Sequence, residues 1–197
     1  MNKKISFVKT IVPKEQYKEK EQIGSLFILH FAPVFDEQMQ AYTCTECSVP
    51  AEGYDEDSVK EEYEAWKKEM ISKALSYAIR GKIADIEAYD VSSKVNGFSL
   101  NGAVVWLDKA TRVGLMNSTR IAKEAGLETT TLWLDSVKLE VDCDKAIQLL
   151  SALEMYALEC FNVTAAHKLA VSELKTIEEV EAFDITADYP QQLAINV

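Results

Sequence analysis

Residues 95–115, VNGFSLNGAVVWLDKATRVGL, decide the fold. FSL and AVVW are short apolar runs typical of strands. Asn101-Gly102 between them predicts a two-residue hairpin turn, because a type I′ turn needs a positive φ at both central residues. Trp106 closes the second strand, and Asp108 is placed to cap the helix that follows. A hairpin that leads directly into a helix is therefore the expected unit.

The same unit recurs further along the chain. TTTLWL and VKLEVD, within residues 129–142, alternate like strands and are separated by a two-residue turn at Asp135-Ser136. Either Asp142 or Asp144 can cap the helix after them. A short helix, TIEEVEAF, and an extended stretch, QLAINV, come next.

A long helix is predicted before the first hairpin. Ser58 and Glu61 form a capping box at its start, and apolar residues at spacings of four and three continue over several turns. The first half of this pattern resembles a coiled-coil seam, but the step from Met70 to Ala74 breaks the heptad. Packing within the chain, with Trp66 as a structural anchor, is therefore favoured over self-association through this helix.

The part of the chain before this helix has a different character. Residues 5–49 are β-rich, and residues 50–57, PAEGYDED, are acidic and turn-rich. We therefore predict an α+β protein. A small β-rich N-terminal module and its linker occupy residues 1–57, and a domain of three main helices with two short β-hairpins occupies residues 58–197. Strands grouped in hairpins argue against a doubly wound parallel sheet.

Composition excludes several classes of function. The chain has 197 residues, of which 48% are hydrophobic and 27% charged, with a formal net charge of −11. The negative charge argues against a general nucleic-acid binder, which needs a basic face, and against docking on an anionic membrane. The N-terminus lacks the apolar core of a signal peptide, and the apolar runs are too short for a membrane helix. We expect a soluble protein that is made and folded in a cytoplasm.

The sequence contains no familiar motif for catalysis. It lacks a phosphate-binding glycine loop, a dinucleotide fingerprint, a nucleophile elbow and a zinc-peptidase motif. Cys44 and Cys47 form a lone CxxC, and His30 and His167 stand alone, whereas a structural zinc site needs more ligands. We therefore expect strand cysteines, core-edge histidines, no metal, no cofactor and no enzymatic activity.

Two tryptophans are the candidate binding residues. Trp106 and Trp133 each lie on a strand before Leu-Asp, in VVWLDKA and TLWLDSV. Such rings could form a platform on which a sugar stacks, but paired aromatics in small hairpins are more often core residues. Core packing is the preferred interpretation, and full burial of both rings would exclude the sugar platform.

Two closely similar segments occur in the chain, IEAYDVS at residues 86–92 and VEAFDIT at residues 180–186. Their carboxylates could act as a catalytic pair, but an Asp after an aromatic residue at a helix end more commonly makes a local turn. We therefore predict that Tyr89 and Phe183 are largely buried helix-end anchors that lie near one another.

A longer series of residues carries a resemblance. The chain contains, in this order, Arg80, Phe98, Asn101-Gly102, Trp106-Leu107-Asp108, Arg112, Thr130-Thr131-Leu132-Trp133, Ala166-His167, Ala170-Val171 and Leu174. With this series, residues 77–190 resemble a domain family of unknown function found in tailed-phage and prophage proteins. Its members are often encoded among tail-fibre and tail-fibre-assembly genes, and this version looks like those of phages of gut Bacteroides-type hosts.

The resemblance implies a non-enzymatic structural component of a tailed-phage virion, in the tail, tail-fibre or head-fibre apparatus. Its partners would be other virion proteins and further copies of itself, with residues 1–57 as an attachment or oligomerisation element. It would be located in the virion after assembly in the bacterial host cytoplasm. The alternatives are a tail-fibre assembly factor that is absent from the mature particle, and a carbohydrate-binding module for host recognition. The family has no established catalytic residues to carry over.

Overall fold

The computed structural model describes residues 5–196 and confirms the predicted α+β class. The chain forms two compact units that divide between Lys73 and Ala74. This division lies inside a helix, whereas the sequence predicts a boundary in the linker at residues 50–57. The first turns of the helix belong with the first unit because Val59 and Tyr63 are part of its core.

The first unit contains an antiparallel sheet. Its strands are β1 (Phe7–Pro13), β2 (Lys20–Ile23), β3 (Leu26–Asp36) and β4 (Ala41–Pro50), with a short 3₁₀ helix (Lys14–Gln16) after β1. They lie in the order β1-β4-β3-β2. Three of these strands, β1, β3 and β4, correspond to the strand-like runs ISFVKTIV, SLFILHFAPVF and QMQAYTCTECSV of the β-rich residues 5–49. Sequence reasoning missed β2 because its residues, KEQI, are mostly polar and charged, a composition that edge strands tolerate.

A bulge interrupts β3 beside its proline. The register with β4 shifts between Phe31 and Val34, and Ala32 takes a φ of 48°. Pro33 therefore lies where the regular ladder is already broken, so its missing N–H costs no ladder hydrogen bond.

The long helix α1 (Glu56–Asp90) contributes its first turns to the core of the first unit. The buried residues of this core are Phe7, Leu29, Cys47, Val49, Val59 and Tyr63. Trp66 packs against it as predicted, with its ring centroid 5.5 Å from that of Phe7 and 6.0 Å from that of Tyr63.

Two expectations for α1 are wrong. The helix begins at Glu56, and Asp55 Oδ1 accepts a hydrogen bond from the backbone N–H of Asp57 at 3.3 Å. Asp55 is therefore the cap, in place of the predicted Ser58. The expectation that the whole apolar stripe of α1 packs within the chain is also wrong, because Met70, Ile71 and Tyr77 in the middle of the helix are exposed. Here ion pairs between neighbouring turns, such as that of Glu69 with Lys73, support the helix.

The second unit contains the rest of α1 and the two predicted hairpins. Its further elements are β5 (Gly97–Leu100), β6 (Ala103–Trp106), α2 (Lys109–Glu124), β7 (Thr129–Leu134), β8 (Val137–Asp142), α3 (Cys143–Glu173), α4 (Ile177–Ala182) and β9 (Ala194–Ile195). β5 pairs with β6 and β7 with β8, both antiparallel. β9 adds to β5 as a parallel strand. Sequence reasoning missed this pairing because the two strands are far apart in the chain.

The local signals of the second unit are confirmed. Asn101 and Gly102 have φ values of 50° and 85°, as the hairpin turn requires. Asp108 Oδ1 accepts from the backbone N–H of Thr111 at 2.8 Å and caps α2. Of the two candidates for α3, the cap is Asp142, which accepts from the backbone N–H of the residues two and three positions later.

The core of the second unit lies between the hairpins and the helices α2 and α3. Its fully buried members include Phe98, Leu100, Val105, Leu132, Leu134, Leu150 and Leu153. Within residues 5–196, no helix combines the length and the apolar character needed to cross a membrane.

Candidate functional site

The two tryptophans lie on the outer faces of their hairpins. Val105, which precedes Trp106, is buried, and so are Leu132 and Leu134 on either side of Trp133. Side chains alternate between the faces of a strand, so each tryptophan faces outward. The exposed fraction is 37% for Trp106 and 59% for Trp133. The expectation that both are core residues is therefore wrong, and the sugar platform is not excluded.

A groove of about 420 Å³ lies beside Trp106. Its apolar lining includes Trp106 together with Leu158 and Phe161 of α3, and its charged lining includes Arg112 and Glu154. This volume is within the range of small-molecule sites, about 300–1,000 Å³. Among the described residues Trp133 does not line the groove, so the structure does not bring the two tryptophans into one site.

An ion pair between buried Arg112 and half-buried Glu154 is part of this groove. Arg112 Nε donates to Glu154 Oε1 at 2.9 Å, and Arg112 Nη1 donates to the backbone carbonyl of Leu107 at 2.6 Å. Only 9% of Arg112 is exposed. A guanidinium in such surroundings needs a partner for its charge, and Glu154 and the carbonyl hold it in one position.

Asp108 also lines the groove. Its Oδ2 accepts from the hydroxyl of Thr111 at 2.6 Å, in addition to the capping hydrogen bond at Oδ1. The hydrogen bonds from Thr111, with a smaller contribution from the charge of Arg112, hold the pKa of Asp108 below its usual value. The residue that ends the hairpin and starts α2 is therefore a carboxylate at neutral pH.

Asp90, at the end of α1, also lines the groove. Its Oδ1 accepts from the hydroxyl of Thr164 at 2.7 Å, and the same Thr164 hydroxyl lies 2.8 Å from the phenol oxygen of Tyr189. Burial raises the pKa of Tyr189. These hydrogen bonds attach α1 and the C-terminal segment to α3 and fix the position of Asp90.

The aspartates of the two similar segments, Asp90 and Asp184, make different hydrogen bonds. Asp184 Oδ1 accepts from the backbone N–H of Thr186 at 2.8 Å, which is the predicted local turn. Asp90 instead makes the long-range hydrogen bond to Thr164. The predicted local turn therefore forms at Asp184 but not at Asp90.

Tyr89 and Phe183 are half-buried, so the prediction that both are largely buried is wrong, but they are connected through other rings. Tyr89 contacts Tyr189, with centroids 5.5 Å apart, and Phe183 contacts His167 at 5.4 Å. His167 and Tyr189 are themselves 5.5 Å apart. Lys82 of α1 also donates to the carbonyl of Phe183 at 3.4 Å. Tyr89 and Phe183 therefore belong to one aromatic cluster with His167 and Tyr189.

The two cysteines of the CxxC lie on opposite faces of β4. Cys44 and Cys47 are both buried in β4. Positions three apart in a strand face opposite sides of the sheet, so the two thiols do not converge. Within residues 5–196, no group of three or more His, Cys, Asp or Glu side chains is arranged to hold a metal ion.

The two histidines have well-defined neighbours. His30 Nδ1 lies 2.5 Å from the carbonyl of Lys18, and its Nε2 lies 3.2 Å from Glu46 Oε2. His167 is buried beside Phe183 and Tyr189. Elsewhere on α3, burial, followed by the charge of nearby Cys160, raises the pKa of Tyr156 to about 12.

Of the residues that line the groove, the sequence indicates only Trp106 as a candidate binding residue; it indicates Asp108 as a helix cap and Arg112 only as part of the resemblance. Trp106 was a candidate from its position at the end of a strand. Arg112, Glu154 and Asp90 were missed because they come from three different helices and had no common sequence spacing. Comparison with protein-family models, with curated proteins and with solved structures gives no match to the chain.

Proposed function

We propose that the protein is a non-enzymatic structural component of a tailed-phage virion that acts through protein–protein contacts. It contacts other virion proteins and further copies of itself, in the tail, tail-fibre or head-fibre apparatus. The resemblance of residues 77–190 to the phage domain family supports the assignment to a tailed-phage virion. The observation that carries the mode of action is a row of exposed apolar side chains on α3.

This row consists of Met155, Leu158, Phe161 and Leu169, which are between 50% and 62% exposed. The opposite side of α3 is buried in the core of the second unit, through residues such as Leu153. Scattered exposed apolar residues are common, but large ones on successive turns of a helix, as Met155, Leu158 and Phe161 are, are typical of an interaction surface. A protein partner would remove this surface from water, which stabilises the complex by about 25 cal/mol per Å² of apolar area.

Mass spectrometry of purified phage particles tests the location. We expect peptides of this chain in particles that have been separated from lysate proteins on a density gradient. Their presence in the lysate but not in the particles would identify a tail-fibre assembly factor, which is the alternative, and would contradict the virion assignment.

A pair of substitutions tests the mode of action. Met155→Ser removes an exposed apolar side chain of the row that does not line the groove, whereas Glu159→Ser changes an exposed polar residue of the same helix. We expect Met155→Ser to reduce incorporation of the chain into particles and Glu159→Ser to leave it unchanged, with both variants folded by circular dichroism. Equal incorporation of both variants would exclude this helix face as the contact surface.

A further inference from the structure

We propose that the groove beside Trp106 binds a neutral saccharide. This inference does not rest on the virion role, because it concerns the chemistry of a groove formed entirely by the second unit. It is carried by three observations: an exposed aromatic wall, side chains with unused hydrogen-bonding groups of both kinds, and a nearly balanced charge.

The aromatic wall suits the apolar face of a sugar ring. Trp106 and Phe161 both line the groove, and both are partly exposed. The C–H groups of a pyranose lie on its faces and its hydroxyls lie around its edge. An aromatic ring can therefore cover a face of the sugar and exclude water from it while the hydroxyls remain free to hydrogen-bond.

Four charged side chains supply the hydrogen bonds for the edge of the sugar. Within residues 5–196, Asp90 and Glu154 each use only one carboxylate oxygen for the hydrogen bonds described above. Arg112 uses Nε and Nη1 and keeps Nη2, and Lys109 has an ammonium group with no ion pair among these residues. The groove thus offers two acceptors and two donors.

Hydroxyl groups fit this mixture better than the groups of a peptide backbone. A hydroxyl donates one hydrogen bond and accepts others, so a single hydroxyl can bridge a carboxylate and a guanidinium. A backbone N–H only donates and a carbonyl only accepts. Adjacent donors and acceptors such as Arg112 and Glu154 therefore favour a polyhydroxyl ligand.

The charge of the groove favours a neutral ligand over an acidic one. Asp90, Asp108 and Glu154 oppose Lys109 and Arg112 in its lining, which leaves a small excess of negative charge. A ligand with a carboxylate or a sulfate would meet this excess at short range, where repulsion is only partly screened.

The site is held in position before any ligand arrives. Arg112 is fixed by Glu154 and by the Leu107 carbonyl, and Asp90 is fixed by Thr164. Groups that are already ordered lose little conformational entropy when they bind. The two fixed side chains come from α2 and from the end of α1, so the groove depends on the folded second unit.

Binding to a printed array of neutral and sialylated oligosaccharides tests the proposal on the full purified chain. We expect binding to one or more neutral glycans, followed by a measurable Kd for the best neutral trisaccharide in calorimetry. Trp106→Ala should weaken this binding about tenfold or more. Trp133→Ala is the matched control, since Trp133 is a more exposed tryptophan outside the groove, and it should leave the Kd unchanged.

A second pair of variants separates loss of the ligand contact from loss of folding. Trp106→Phe keeps an aromatic ring and should retain most of the affinity, whereas Lys109→Ala removes an exposed donor and should weaken binding several-fold without unfolding the chain. Failure of the wild-type chain to bind any neutral glycan would overturn the proposal. Preference for sialylated glycans, or equal loss with Trp133→Ala, would overturn it as well. None of these results bears on whether the chain is found in phage particles.

Discussion

Thr164 Oγ1 donates a hydrogen bond to Asp90 Oδ1 at 2.7 Å, although the two residues lie 74 positions apart in the sequence. The same hydroxyl also contacts the phenol of Tyr189 at 2.8 Å. One threonine therefore connects the end of α1, the long helix α3 and the C-terminal segment, and it positions a carboxylate in the groove.

Thr164→Val should destabilise the second unit. The substitution keeps the shape of the side chain but removes the donor to Asp90 and the partner of Tyr189, in a position that is 6% exposed. Leaving such groups without partners costs about 1–3 kcal/mol. Urea unfolding of the variant and of the wild type measures the difference, and an unchanged unfolding free energy would show that these hydrogen bonds contribute nothing.

Thr45→Val should have the opposite sign. Thr45 is fully buried in β4, and its Oγ1 has no hydrogen-bond partner among the described residues. Replacing this hydroxyl by a methyl group removes an unsatisfied polar atom, and we expect a gain of about 1 kcal/mol in the unfolding free energy of the first unit. The same urea measurement applies, and a loss of stability would mean that the hydroxyl has a partner in solution.

Glu154→Gln should destabilise the fold more than Glu140→Gln. Glu154 is the partner of the buried Arg112, so its neutralisation leaves a buried guanidinium without its main counter-charge, at a cost of about 1–3 kcal/mol. Glu140 lies 4.0 Å from Lys138 and both are exposed, and such pairs contribute less than about 1 kcal/mol. Thermal unfolding compares the two variants. Equal effects would show that the partly buried pair is no stronger than an exposed one.

The stability of the first unit should fall in alkaline solution through Cys47. Burial, followed by the charges of Glu46 and Glu62, raises the pKa of Cys47 to about 11 from the ordinary 9.0. The unfolded thiol ionises at the lower pH, so the contribution of Cys47 to stability is full below pH 9 and is lost as the pH rises through about 11.

Cys47→Ala isolates this contribution. The difference in unfolding free energy between the wild type and this variant should be constant below pH 9 and should shrink between pH 9 and about 11. Urea unfolding at several pH values measures it, and comparison of slopes removes the constant cost of the cavity that the variant creates. A difference that does not change with pH would contradict the raised pKa.

Gly97→Ala should destabilise the chain strongly, and Gly81→Ala should not. A Cβ at position 97 would lie 2.3 Å from the backbone carbonyl oxygen of Ser93, which cannot move without disturbing the turn before β5. We expect a cost of about 2 kcal/mol or more. At position 81, inside α1, a Cβ meets no atom within 4 Å, and alanine should stabilise the helix by about 1 kcal/mol. Thermal unfolding of both variants checks this contrast.

Much of the second unit was predictable because its signals are local. The turn at Asn101-Gly102 depends on backbone conformations that these two residues adopt easily, and the caps Asp108 and Asp142 bind N–H groups two or three positions away. Interactions of this range are visible in a few consecutive letters. The choice between Asp142 and Asp144 was not, since both satisfy the same local rule.

The groove was largely unpredictable for the opposite reason. Arg112 and Glu154 are 42 positions apart, and nothing in the residues around either one identifies its partner. The sequence indicates Trp106 as a candidate but predicts that its ring is in the core, because an apolar run does not show which face of the strand is covered. The neighbours decide this, and they come from elsewhere in the chain.

The sequence by itself determined the α+β class, the two hairpins and the cap of α2 at Asp108, because each depends on the intrinsic preferences of adjacent residues. Tertiary structure decided that β2 and β9 are strands and that Trp106 and Trp133 face outward. It also decided that Asp90 accepts a hydrogen bond from Thr164, while Asp184 in the similar segment makes a local turn. The physical reason is that burial and long-range hydrogen bonding are properties of a residue's neighbours in space. Two closely similar local patterns therefore acquire different roles when different elements pack against them.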